Sequence, residues 1–416
     1  SELFYKRFLK NENITLFSPY EAKDLYDAFG HENFDELYEQ YERKTSLKFK
    51  KTIKAREMMS LFVKERVETG RIYFMNIDHC NQRSAWNDDI KMTNLCVEVL
   101  HPTKPLQHTD DKDAEIGICI LSAINVLEIQ SDAEMEKVCD IIVRILDQLI
   151  DYQDYFLPAA ENFTKNRRSL GIGITNFAAY LAKAGVKYTD EEAPNVADEL
   201  MEKVQYYLLS SSCNIASEKG KCPKYHKTKY SQGWLPIDTY KKEIDEFVTR
   251  KNSMDWEGLR ERIKEHGLRH STVSAIMPCE SSSVIQCSTN GIEPIRSYIT
   301  YKKSKARTLP VIVPNYSSLK NKYTLAYEME DNVGLIKIVG ALQKWVDMSI
   351  SANMYYNYAH YENGALPDSK VIKEILLAYK LGWRTGYYNN TDDGDKQSSG
   401  GEEQSDNGCE SGACAL

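Results

Sequence analysis

The chain has 416 residues, 42% of them apolar and 27% charged, with a formal net charge of −8. That length holds one large domain or about three ordinary ones, and the composition is that of a globular protein with a sizeable core. The acidic balance argues against a large nucleic-acid footprint, no apolar run is long enough to span a membrane, and the polar start "SELFYKRFLKNEN" is not a signal peptide.

In chain order, residues 1–70 read as a helical segment. Ser18-Pro19-Tyr20-Glu21 has the form of a capping box with proline at the first helical position, and Gly30 is a stop. Further helices are expected over 32–44 and from 53 to Gly70. "RIYFM" (71–75) and "IGICILSAINV" (116–126) read as strands, the second as the continuous apolar run of buried parallel sheet. A helix is expected at 132–151, a strand at "SLGIGI" (169–174), a helix ending at Gly185, and a long helix at 190–219. Strands follow at "TVSAIM" (272–277) and "LPVIV" (309–313), then a buried helix at 334–352 and another at 369–381. Strands separated by helices indicate an α/β fold with parallel sheet.

From Asn389 to Leu416 seven acidic residues face one lysine, so this stretch carries a net −6 and leaves −2 for the rest. With five glycines and almost nothing apolar it is expected to be a disordered tail. It nevertheless ends in "CESGACAL", and a flexible tail has no structural use for Cys409 and Cys414, so chemistry is expected there. The ten cysteines otherwise read as reduced thiols of a cytoplasmic protein.

Four stretches carry candidate chemistry. In "NLCVEV" (94–99), Asn94, Cys96 and Glu98 would share one face of an extended chain over about 13 Å, enough to lie along a ribose-sized ring. The bland reading is a half-exposed strand with an inert cysteine. Cys119 lies inside the apolar strand "IGICIL", where a small buried thiol needs no functional account. In "SAIMPCESSSVIQ" a strand ends at Pro278 and serines open a helix, which makes either an anion site or ordinary capping. Tyr387-Tyr388 is a possible electron relay, although two other tyrosine doublets occur and about two are expected by chance among 27 tyrosines. "LGIGITN" lacks the third glycine of a dinucleotide loop and reads as close helix–strand packing. The eight histidines show no metal-ligand spacing, so no metal site is expected.

Taken together, "NLCVEVLHPTKPL", "DYQDYFLPAAENF", "RRSLGIGITNFAAYLAKAG", "LPIDTYKK", "HGLRHSTVSAIMPCESSS", "STNGIEPIR", "SISAN" and "CESGAC" occur in an order that resembles the large catalytic subunit of aerobic, class I ribonucleotide reductase. The resemblance implies the second half of a ten-stranded α/β barrel with a radical-cysteine finger loop, preceded by helices (1–70), running over 71–388 and followed by a redox tail (389–416). It implies that Cys96 becomes a thiyl radical taking the ribose 3′-hydrogen, with Glu98 as general base and Asn94 holding ribose hydroxyls. Cys119 would be one of two cysteines that supply reducing equivalents. Glu280, Ser281 and Ser282 would bind substrate phosphate, Tyr387 and Tyr388 would pass the radical inward, and Cys409 and Cys414 would re-reduce the active-site disulfide.

The resemblance further implies ribonucleoside diphosphate as substrate, a separate small subunit that supplies the radical from a diiron-tyrosyl centre, and thioredoxin or glutaredoxin as reductant. It implies neither nucleic acid nor membrane as partner. Two departures stand out. Cys279 takes a place where a hydroxyl residue is expected. The regulatory nucleotide sites, the first half-barrel and the partner of Cys119 belong to an N-terminal half that the matching motifs do not cover. The chain therefore reads as a naturally split polypeptide, with Ser1 left by removal of an initiator methionine, or as a shortened one. The rival readings are a non-catalytic scaffold of the same family and a thiol-redox binding module acting through its tail. The second would not need Asn94, Glu98 or the serine loop.

Overall fold

A computed structural model describes residues 1–303 and 308–392, so Cys409 and Cys414 lie outside the described residues. The N-terminal segment is not all helix. Helix α1 (Glu2–Leu9) is followed by strand β1 (Asn13–Phe17), the short α2 (Lys23–Asp27), α3 (Phe34–Arg43) and β2 (Lys50–Lys54), and β1 pairs antiparallel with β2. These strands escape a sequence reading because "KKTIK" offers almost no apolar alternation. The capping box at Ser18 does not form. The Glu21 carboxylate instead accepts main-chain N–H groups of Lys48 and Phe49 at 3.2 and 2.9 Å, so a tertiary contact displaces the local one. Helix α4 (Ala55–Thr69) ends as expected at Gly70, whose φ of +69° suits glycine and whose carbonyl accepts the Asn389 N–H at 3.0 Å.

Beyond β3 (Phe74–Met75) and α5 (Ile77–Arg83), the chain builds half of an α/β barrel. Its strands are β4 (Leu121–Asn125), β5 (Gly171–Thr175), an extended segment at 272–276, and a second at 348–352 that runs on into β8; helices fill the crossovers. After β4 come α6 (Asp132–Tyr152) and α7 (Pro158–Arg167), and after β5 come α8 (Phe177–Ala184), α9 (Ala193–Lys219) and α10 (Trp256–His266). Then follow α11 (Glu280–Ile285), β6 (Ile299–Lys303), β7 (Thr308–Ile312), α12 (Tyr316–Leu319), α13 (Val333–Gln343), β8 (Met354–Asn357), α14 (Asp368–Lys380), β9 (Thr385–Gly386) and β10 (Asn389–Asp392).

Every lateral pairing in this half-barrel is parallel: β4 with β5, Ile172 with Ser274, Ile276 with Ile350, and β8 with β10. The strands therefore stand in chain order, each joined to the next by a crossover connection as parallel pairing requires, and the barrel is not closed. Two glycines set the close approach. A Cβ on Gly173 would lie 2.7 Å from the Ala275 carbonyl, and one on Gly171 would lie 2.6 Å from Leu121 Cδ2. "LGIG" thus serves strand–strand rather than helix–strand contact.

Four further expectations are corrected. The strand expected over 116–126 forms only from Leu121, and Cys119 is exposed rather than buried within it. The 309–313 strand belongs to an antiparallel β6–β7 hairpin, not to the parallel sheet. The buried helix ends at Gln343, because Asp347 is drawn beside the 272–276 strand. It accepts the N–H groups of Val273 and Ser274 at 2.5 and 3.3 Å, the Gln205 amide at 2.7 Å and the Tyr230 hydroxyl. Burial pushes the Asp347 carboxyl up to about 6 despite these bonds. Lastly, Asn389–Asp392 form β10 against β8, so the tail does not start at 389.

Candidate active site

Asn94, Cys96 and Glu98 do not lie along an extended strand. The chain reverses there. The Val97 N–H donates to the Asn94 carbonyl at 3.2 Å, the Val99 N–H to Asn94 Oδ1 at 3.0 Å, and the Asn94 N–H to the Val99 carbonyl at 3.3 Å. Val97 is held at φ +63°, a strained setting for a β-branched residue that costs on the order of 1–3 kcal/mol. The tightness of this loop brings Cys96 to its tip.

The loop is fastened to the strands behind it. The Ser351 hydroxyl bonds to the Cys96 carbonyl at 2.5 Å and to Glu98 Oε2 at 3.1 Å. The Ser349 N–H donates to the Glu98 carbonyl at 2.9 Å, and the Thr385 hydroxyl donates to the Val97 carbonyl at 3.0 Å. Cys96 stays half-buried while Glu98 is only 2% exposed. Burial raises the Glu98 pKa, with hydrogen bonds from Asn94 and Ser351 opposing it, which is the environment of a proton acceptor tuned upward.

The Tyr387 hydroxyl contacts the Cys96 sulfur at 3.5 Å. Tyr387 and Tyr388 have ring centroids 4.1 Å apart, and a third ring, Tyr73, lies 4.7 Å from Tyr387 and 5.3 Å from Tyr388. Burial, then the bond to Cys96 and the contact with Tyr388, hold the Tyr387 phenol far above its ordinary pKa. Arg66 fixes this corner by donating to the Tyr387 carbonyl at 2.8 Å. A phenol that stays protonated, touching a thiol, suits hydrogen-atom exchange rather than acid–base work.

Cys119 faces the same space. Desolvation of its sulfur, in a residue that is exposed as a whole, then the nearby Glu98 and Cys96, push its thiol up to about 12. Cys279 is buried at the start of α11, its N–H donating to Asn290 Oδ1 at 2.7 Å, and burial raises its thiol to about 11. Glu280, Ser281 and Ser282 open α11 on an exposed surface, and the Ser282 hydroxyl caps the Cys279 carbonyl at 3.3 Å. The structure thus brings Asn94, Cys96, Glu98, Cys119, Tyr387 and Tyr388 close to one another, with the start of α11 nearby. The sequence reading missed Tyr73, Ser351 and Thr385. Only Ser351 had a signal, its place in "SISAN".

The fold and this cluster define a half-barrel domain in which a loop-borne thiol meets a chain of aromatic rings. A family model described as ribonucleotide reductase, barrel domain, matches residues 1–329 and 313–389, and the chain belongs to that family. It is 47% identical to the Escherichia coli ribonucleoside-diphosphate reductase 1 subunit alpha and 45% identical to the Buchnera aphidicola subunit alpha, over its whole length and 56% of each relative. The subunit alpha of phage T4 is 40% identical over 95% of this chain and 53% of its own. The chain spans about half the length of the curated relatives it matches.

Proposed function

We propose that the chain is the catalytic part of a ribonucleoside-diphosphate reductase working through a thiyl radical on Cys96. The observation that supports this most is the contact of the Cys96 sulfur with the Tyr387 hydroxyl beside the buried Glu98. Tyr388 in its radical form takes a hydrogen atom from Tyr387, and Tyr387 takes one from Cys96. The thiyl then removes the ribose 3′-hydrogen while the Glu98 carboxylate accepts the 3′-hydroxyl proton and Asn94 orients the hydroxyls. The 2′-hydroxyl leaves as water, and Cys119 with a second thiol gives up two electrons and two protons to become a disulfide. Cys96 returns the hydrogen atom to the 3′ carbon and passes the radical back to Tyr387. Glu280, Ser281 and Ser282 hold the diphosphate at the start of α11.

The radical is delivered by a separate small subunit carrying a diiron-tyrosyl centre. The first half-barrel, the second thiol and the regulatory nucleotide sites come from the N-terminal half of the large subunit. That half would cover the exposed Cys119 side and apolar groups such as Phe156, which is 98% exposed. Cys409 and Cys414 re-reduce the disulfide and are themselves reduced by thioredoxin or glutaredoxin in the cytoplasm. Among the described residues no helix is long and apolar enough to cross a membrane. The test is a pull-down from the source cell followed by an assay for nucleotide reduction. Deoxynucleotide formed only by the co-purified complex supports the reading. A complete complex that forms none refutes it.

A further inference from the structure

The segment "NGIEPIR" (290–296) after α11 has no part in the chemistry above, yet it touches three parts of the site. Asn290 accepts the Cys279 N–H at the start of α11, and Arg296 donates to Asn390 Oδ1 at 2.9 Å, two residues beyond Tyr388. Between them stands Glu293. Its Oε1 accepts the Asn353 amide N–H at 2.8 Å, and its Oε2 accepts the Tyr355 hydroxyl at 2.8 Å. The carbonyl end of the same Asn353 amide accepts the Tyr388 N–H at 3.0 Å. Asn353 and Tyr355 are both buried.

An asparagine amide has nearly the same shape either way round, so its neighbours decide which end is which. Burial raises the Glu293 pKa against the opposing Arg296 and Tyr355, but with the Tyr355 hydroxyl donating to Oε2, it is Oε1 that is offered to Asn353 as an acceptor. Glu293 therefore obliges Asn353 to turn its NH2 toward the carboxylate and its carbonyl toward Tyr388. Reversed, the amide would set an N–H against the Tyr388 N–H, and a buried donor without an acceptor is costly. The main chain of the tyrosine pair is also tied by the Tyr387 N–H to the Ala352 carbonyl, the Met354 N–H to the Tyr388 carbonyl, and Arg66 to both tyrosine carbonyls.

We propose that Glu293 is a positioning residue for radical transfer: through Asn353 it fixes the main chain of Tyr388, and with it the approach of Tyr388 to Tyr387 and Cys96. This rests on the thiyl-radical reading. The group acts on transfer and not on substrate, so its loss lowers kcat and leaves substrate affinity alone.

The experiment compares wild type, Glu293→Leu, Glu293→Gln and Asn353→Ala in the assembled complex, each with and without a redox-active tyrosine analogue at position 388. Glutamine keeps a carbonyl acceptor of the same reach. Glu293→Leu is expected to lose at least tenfold in kcat, to keep its substrate Kd within twofold, and to give a weaker electron paramagnetic resonance signal from the analogue. Glu293→Gln is expected to stay within about threefold of wild type, and Asn353→Ala to repeat the leucine pattern. Should the leucine variant not fold, Asn353→Ala carries the test. Wild-type kcat in Glu293→Leu or Asn353→Ala, an equal loss of kcat and affinity, or glutamine failing as badly as leucine would overturn the proposal. An inactive wild-type complex would instead overturn the thiyl-radical reading.

Discussion

Tyr387→Phe removes one oxygen and nothing else from the path between the aromatic rings and Cys96. In the fold the loss is the hydroxyl contact to sulfur at 3.5 Å and the hydroxyl's contacts with the neighbouring phenols, with the ring contacts to Tyr388 and Tyr73 retained. Such a contact is worth about 0.5–1.5 kcal/mol, a small part of the total stability of a chain this size. Its effect on chemistry is of another order, because on the proposed radical path the thiol hydrogen loses the oxygen that takes it. Turnover should fall by more than about 10³-fold, equivalent to about 4 kcal/mol on the barrier. The assay is deoxynucleotide formation by the assembled complex, run beside thermal unfolding of the same protein. Turnover within tenfold of wild type, at unchanged stability, would refute the assignment of Tyr387 as the hydrogen acceptor.

Other outcomes follow from the same geometry. Glu98→Gln keeps the shape of the side chain and loses the base, so turnover should collapse, and the wild-type rate should rise with pH through a carboxyl pKa above the ordinary range. The folded pKa of Glu98 is raised, so its burial costs stability only where it ionises: the cost is absent below the unfolded value of about 4.3 and complete above the folded one. Glu98→Gln should therefore raise the melting temperature at pH 7–8 and not at pH 4, as a pair of thermal scans would show. Asp147 is fully buried and bonded to Arg168, His270, Arg269 and Lys219, so Asp147→Asn strands several cations and should cost about 3–5 kcal/mol in urea unfolding. A double Cys409→Ser/Cys414→Ser variant should complete a first turnover and then stall with thioredoxin, and a small dithiol should restore cycling.

Much of the fold was legible because its signals are local. Glycine at a helix end needs only its own φ, so Gly70 and Gly185 marked the ends of α4 and α8 correctly. The apolar run at 272–277 declared a buried strand and sits bridged on both sides. What the sequence hid depends on distant partners. Nothing near Glu21 announces Lys48 and Phe49, and nothing near Val97 announces Thr385, 288 residues away, which helps hold the strained turn. Alternation in "NLCVEV" pointed to a strand because period-2 polarity is also what a tight loop shows when one side chain bonds its own backbone, as Asn94 does to Val99. The resemblance placed the same residues on a loop, since spacing within a motif survives whatever local propensity says. Tyr73 went unseen within "RIYFM" because a ring stack is a tertiary fact.

The most direct test is deoxynucleotide formation by Cys96→Ser in the fully assembled complex, with circular dichroism to confirm the fold. A hydroxyl fills nearly the volume of the thiol and cannot serve as the hydrogen-abstracting radical, so the expected result is a folded complex that forms no deoxynucleotide where wild type does. Reduction at a near-normal rate by Cys96→Ser would contradict it.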